Sequence, residues 1–169
     1  ISRPYGFPCF CLRGYCFLSS CMLKLLKNIT IYILGLLYII IGIRHFTNPD
    51  FFKIIMPPYL PFHDFFVYSS GFFEILFGFM ILLKKFRRVG ALGIFFLLIL
   101  VFPANIYLYQ SSNAQEILSI TKMDALIRLP FQIPLLILAY WHSKDFNSRF
   151  FNIFCLIIFI PTIIYFLTL

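Results

Sequence analysis

Charge is what this sequence has least of. Asp, Glu, Lys and Arg make up 12% of its 169 residues, against roughly 25% in an average soluble chain. Hydrophobic residues make up 62%, with 24 phenylalanines among them, and the mean hydropathy is +0.94. A soluble fold of this size could not hide so much apolar surface beneath a polar coat. An ordinary soluble domain is excluded, and the composition implies an all-α, polytopic transmembrane bundle in contact with the lipid bilayer. Acid is scarcer than base, with six Asp and Glu against fourteen Lys and Arg. The resulting +8 is not a nucleic-acid signal. The bases sit at the ends of apolar runs, and no basic stripe with interleaved aromatics lies on a soluble face. Also missing are a phosphate-cradling glycine loop, metal-ligand spacing and a nucleophile beside a base. No metal site, cofactor or catalytic residue is therefore assigned from motifs.

Residues 1–21 read differently from the rest. They hold Cys9, Cys11, Cys16 and Cys21, two prolines and two arginines, with no sustained helical pattern. Met22, followed by Leu-Lys-Leu-Leu-Lys, reads as the true translation start, in which case the leader 1–21 is not translated. Leu18-Ser19-Ser20-Cys21 also reads as a lipoprotein cleavage box, but Arg13 and Pro8 break the apolar core such a signal needs. Cys9-x-Cys11 lacks the two-residue spacing and the histidine partner of a metal site.

From Met22 onward, five runs approach the roughly 20 residues a span requires: 25–43, 65–83, 89–109, 124–141 and 150–169. Pro103, Pro130, Pro134 and Pro161 fall inside runs, where neighbouring helices can re-satisfy the freed backbone, so kinks rather than ends are expected. Residues 22–145 thus form a four-helix domain, and 146–169 add a fifth hydrophobic segment, read as a span rather than a surface hairpin. Orientation follows from the bases. Arg3, Arg13, Lys24, Lys27, Lys84, Lys85, Arg87, Arg88, Lys144 and Arg149 fall on one side, and Arg44, Lys53, Lys122 and Arg128 on the other. The larger group marks the cytoplasm, so the amino terminus is expected there.

Ionisable groups inside spans are costly, at about 2.5–3.5 kcal/mol each on the mildest scale. Glu74 lies nine residues into the second run, roughly 13 Å below the outer face at the helical rise. Gly71 and Gly78 flank it on the same face, so a neighbouring helix can come close to the carboxyl. Gly35, Tyr38, Gly42 and His45 make a second small and polar face, ending at Arg44 and His45. Asn105 near the outer end of the third run, with Arg128 and Gln132 on the fourth, complete a set converging on the outer half. Two readings stay open. Arg44, His45, Glu74, Asn105, Arg128 and Gln132 line a ligand or proton site, or they are structural glue. In the second case Glu74 pairs with Arg128, Asp124 supports Arg128 at i,i+4, and Asn105 and Gln132 serve backbone freed by the prolines.

The segment between Arg44 and Asp64 holds Pro49, Pro57, Pro58 and Pro61 around Phe51-Phe52-Lys53-Ile54-Ile55-Met56. It should lie at the interface as a short helix, roofing the bundle. His45 and His63 border it while His142 falls on the opposite side, which argues against paired haem ligands.

At these residues the sequence resembles the DoxX and DoxX-like family of small membrane proteins. The resemblance rests on Gly42-Ile43-Arg44-His45-Phe46 with Pro49, then Ile55 and Leu60-Pro61, then Ser70-Gly71-Phe72-Phe73-Glu74-Ile75. Val101-Phe102-Pro103-Ala104-Asn105 and Arg128-Leu129-Pro130-Phe131-Gln132 follow in order, so it covers about 25–141. It implies a four-helix bundle in a bacterial inner membrane. The namesake is a small subunit associated with a membrane thiosulfate:quinone oxidoreductase. Other members are linked to thiol and oxidative-stress systems, and a eukaryotic relative is an assembly chaperone. The leader and the fifth segment lie outside the pattern. The matched stretch has no cysteine, which argues against direct thiol–disulfide chemistry by its core. Two functions are carried forward. One is a redox-linked subunit that binds a quinone or other lipophilic ligand, with Glu74, His45 and Arg128 at the head group and Glu74 able to relay a proton. The other is a non-catalytic assembly or interaction subunit that docks a membrane or redox partner. No internal inverted repeat supports a transporter.

Overall fold

Each of the five apolar runs folds as a single helix in the computed structural model, which describes residues 14–145 and 148–167. The long helices are α1 (Gly14–Thr47), α3 (His63–Leu82), α4 (Arg87–Gln110), α6 (Lys122–His142) and α7 (Arg149–Leu167). Two one-turn helices, α2 (Pro49–Ile54) and α5 (Ser112–Ile117), lie between them, and no strand occurs among the described residues. All five long helices are long and apolar enough to cross a membrane.

The helix boundaries follow local chemistry. α1 stops where Asn48 precedes Pro49, since the residue before a proline is pushed out of the helical region. Pro49 then opens α2, where its missing N–H costs nothing. Thr121 caps α6 in a reciprocal box. Its hydroxyl accepts from the Asp124 backbone N–H, and its own backbone N–H donates to the Asp124 carboxylate at 2.9 Å. Pro103, Pro130, Pro134 and Pro161 all sit inside continuous helices, as expected.

Two elements differ from the sequence-based expectation. α1 starts at Gly14, eleven residues before the first apolar run, so the supposed leader is helical from there. No proline or glycine falls between Tyr15 and Gly35 to interrupt it. Its 34 residues extend about 51 Å, well beyond the roughly 30 Å hydrocarbon core. Cys9 and Cys11 lie outside the described residues. α5 was not anticipated. The Ser111 hydroxyl accepts from the Ala114 N–H at 3.2 Å, and Gln115 donates to the Leu108 and Tyr109 carbonyls at 2.8 and 2.9 Å.

The long helices form a closed ring in which α1 packs on α3, α3 on α4, α4 on α6, α6 on α7, and α7 back on α1. The fifth span is therefore a wall of the bundle, not an appendage to four helices. The ring interior is filled by Ile31, Leu34, Ile81, Ile94, Leu138 and Trp141, with Cys155 and Phe159 from α7. Its outside is equally apolar: Phe150 is 87% exposed and Leu100 74%. In water that surface would drive aggregation, whereas lipid tails solvate it.

The α1–α3 seam is tight. A methyl group at Gly42 would fall 2.7 Å from the Gly71 carbonyl oxygen, and one at Gly78 would fall 2.9 Å from the Gly35 carbonyl oxygen. Glycine at these positions lets backbone touch backbone, the packing that small residues permit between membrane helices.

Candidate functional site

That seam carries Glu74 and His45 into the ring together. With no side chain on Gly71, the Cβ of His45 seats directly against α3. Its Nδ1 then lies 3.1 Å from Glu74 Oε2. The same Nδ1 is 3.1 Å from the Ile41 carbonyl oxygen. A carbonyl only accepts, so Nδ1 carries a proton and donates it there, which leaves Nε2 of a neutral ring as an acceptor. Glu74 Oε2 sits off the line of that N–H and has no hydrogen-bond partner, although the residue is only 7% exposed. On its other side the imidazole stacks on Phe52 of α2, with centroids 3.5 Å apart and planes at 20°.

Glu74 and His45 stand on the wall of a cavity of about 610 Å³, within the range typical of small-molecule sites. All six residues singled out from the sequence line it: Arg44, His45, Glu74, Asn105, Arg128 and Gln132. α1, α3, α4 and α6 supply these groups, Phe166 of α7 completes the wall, and Phe51 and Phe52 of α2 cover one end. The short helix between Arg44 and Asp64 is thus a roof. It is tethered by Lys53, whose ammonium pairs with Asp64 at the start of α3 and with Asp50 at 3.5 Å. The Asp64 hydrogen bond holds that ammonium protonated above the ordinary lysine range.

The pairings inside the cavity differ from those expected of structural glue. Glu74 meets His45, not Arg128. Arg128 instead lies beside Tyr165 of α7, whose ring stacks on Phe131 at 4.1 Å. Asp124 is held by Thr121 in the helix cap rather than by Arg128. Asn105 and Gln132 bond each other and reach the carbonyl next to the one that a proline frees, not the freed one itself. Asn105 donates to Gln132 Oε1 at 3.0 Å, and Gln132 donates to the Leu98 carbonyl. Leu98 adjoins Ile99, whose carbonyl loses its usual donor to Pro103.

Three buried polar atoms on this one cavity have no hydrogen-bond partner: Tyr38 Oη, Glu74 Oε2 and Arg128 Nε. Unpaired buried polar atoms are rare and costly, so three around one space are a chemical signature. Together they offer a hydroxyl, a carboxyl and a guanidinium N–H, with an imidazole alongside. That set can donate to a ligand oxygen and hold or pass a proton.

A second polar cluster at the other end of the ring escaped notice in the sequence. His142, 2% exposed, lies 3.0 Å through Nε2 from Thr30 Oγ1. Trp141 Nε1 donates to Asn152 Oδ1 at 2.7 Å, and Lys27 donates to the Lys144 carbonyl while lying 5.3 Å over the Trp141 ring. These bonds join α1, α7 and the carboxyl end of α6. The signals in the sequence were Thr30 within the first apolar run and Asn152 within the fifth. His45 and Thr30 are fifteen residues apart on α1, about 22 Å along its axis, so His45 and His142 cannot share one haem iron. Among the described residues no three His, Cys, Asp or Glu side chains group as a metal site.

A ring of five apolar helices around a polar, roofed cavity defines a multi-pass helical membrane protein. Within that class, the chain belongs to the family described as Domain of unknown function (DUF8561), whose model matches residues 34–143. The match spans all six predicted cavity residues and stops before α7. No curated protein and no solved structure matches the chain.

Proposed function

We propose that this protein is a DoxX-like, redox-linked membrane subunit that binds a quinone or another lipophilic ligand by its head group in the five-helix cavity. The observation carrying this reading is the trio of unpartnered buried atoms on Tyr38, Glu74 and Arg128 around one space. A quinone carbonyl oxygen can accept from Tyr38 Oη and Arg128 Nε. Stacked aromatic rings such as Phe52 suit a flat head group. Quinone reduction takes up protons as well as electrons. Glu74 beside His45 is a buried proton-carrying pair suited to that uptake, and the electrons are assigned to a partner subunit. The excess of bases near the α3–α4 turn supports a cytoplasmic amino terminus, and with it a cavity in the outer half of the membrane, which in this reading is a bacterial inner membrane.

The test is quinone binding to purified protein in detergent. Glu74→Gln and Arg128→Ala are expected to weaken binding by at least tenfold while protein yield stays near that of wild type. Folded wild-type protein without quinone affinity refutes the reading. A second reading, a non-catalytic assembly subunit, is favoured by the Asn105–Gln132–Leu98 network, which ties α4 to α6 with no ligand. It predicts that Glu74→Gln chiefly lowers protein level and that a stable partner copurifies.

A further inference from the structure

A ligand whose head sits inside a closed ring, beneath the α2 roof, has a steric problem if it also carries a long tail. One seam of the wall offers room for that tail. Between α4 and α6 lies a second space of about 340 Å³, walled by Leu98, Ile99 and Phe102 on one side and by Leu129, Ile133 and Leu136 on the other. Gln132 supplies its only polar side chain. Ile99, Phe102 and Ile133 are 48%, 40% and 60% exposed, so the groove opens outward on the surface that meets lipid.

Leu98 and Gln132 line both this groove and the polar cavity. The partition between the two spaces is therefore a pair of residues rather than a packed layer. Gln132 bridges it, donating to the Leu98 carbonyl and accepting from Asn105. The helices are also at their most deformable here. Pro103 leaves the Ile99 carbonyl without its intrahelical donor, and Pro130 and Pro134 do the same for Leu126 and Pro130.

We infer that the α4–α6 groove is the tail port of the cavity: the ligand is an amphiphile with a polyprenyl or similar apolar tail, which lies in the groove and passes into the cavity beside Gln132. This rests on the head-group reading of the cavity proposed above, and adds to it the ligand's shape and its route of entry from the bilayer. Lipid tails are as apolar as the groove, so hydrophobicity does not hold the tail there. What the groove supplies is room for a chain beside the cavity. A trough whose one polar side chain, Gln132, is already bonded to Leu98 and Asn105 has nothing to offer a second head group.

The experiment fills the groove from either wall with Ile133→Trp and, separately, Ile99→Trp. Both side chains point outward, so each variant is checked for a wild-type unfolding midpoint before use. Two probes are titrated into protein in detergent micelles: a benzoquinone carrying a long polyprenyl tail, and the same ring without the tail. The expected result is a loss of at least tenfold in affinity for the tailed quinone in both variants, with the tailless ring bound as by wild type. Tailed and tailless quinones both bound as by wild type would overturn the tail port while leaving the head site standing. Equal losses for both probes would overturn it too, since the substitutions would then act on the head site. If wild type binds neither probe, the head-group reading fails and this inference fails with it.

Discussion

Gly71→Ala tests the seam on which the site depends. The added methyl carbon would fall 2.5 Å from His45 Cβ and 3.0 Å from the Gly42 carbonyl oxygen. Carbon atoms in good contact are about 3.5–4.0 Å apart, so close to 1 Å must be found. No rotamer supplies it, because His45 Cβ is fixed to the α1 backbone and Gly42 offers backbone itself. The helices have to separate, and a radial gap of about 0.5–1 Å forfeits a quarter to a half of each dispersion contact along the seam. Overpacking of this kind costs about 1–3 kcal/mol. Alanine returns at most about 1 kcal/mol of helix propensity, and less where the separated helices stay helical in the bilayer. The expected net effect is a loss of about 1–2 kcal/mol. Gly93→Ala is the comparison, because the three atoms nearest the methyl there belong to the Phe77 side chain and none to backbone. Unfolding in mixed micelles can be followed by fluorescence of Trp141, the sole tryptophan. If Gly71→Ala and Gly93→Ala unfold alike, within about 0.5 kcal/mol of wild type, then backbone contact does not set the α1–α3 distance and the account of His45 and Glu74 fails.

Gln132→Leu removes the donor to Leu98 and the acceptor for Asn105, so it should destabilise by about 1–3 kcal/mol, read by the same unfolding assay; an unchanged midpoint would mean the α4–α6 bridge is dispensable. Asp64→Asn should loosen the roof, seen as faster hydrogen exchange over residues 51–55, with a matching effect of high salt on wild type. Because Asp64 raises the Lys53 value, the tether is complete below about pH 10, the ordinary lysine range, and is lost as pH rises through the raised value. Exchange over 51–55 that is insensitive to salt and to alkaline pH would show the roof is held by packing alone.

The helices were largely legible in the sequence because hydropathy and length report directly on lipid. Each predicted run ended within two residues of a helix end, except at the start of α1 and its close. There the deciding fact was the absence of any helix breaker back to Gly14, which an average over apolar residues does not register. α5 was hidden for the opposite reason: its single turn is held by Ser111 and Gln115, with no periodic run to reveal it. The membership of the site was legible too, since a charged or amide group inside a span needs an interior to face. Its pairings were not. Whether Glu74 meets His45 or Arg128 depends on the order of helices around the ring, and nothing along the chain encodes which helix lies beside which. The glycines at 42 and 71 hinted at close approach, but only their contact across the seam identifies the partner.

Closure of the ring by α7 has a consequence for how the protein is made. Translation delivers α1 through α6 first, and these form an open arc whose two free edges belong to α1 and α6. Until the last helix arrives, Arg128 lacks Tyr165, Trp141 lacks Asn152, and the cavity has a missing wall. His45 can meet Glu74, and Gln132 can bridge Asn105 and Leu98, within that arc, because those contacts lie between α1 and α3 and between α4 and α6. A chain halted before α7 would therefore hold its polar pairs in a cavity open on the side where Phe166 belongs.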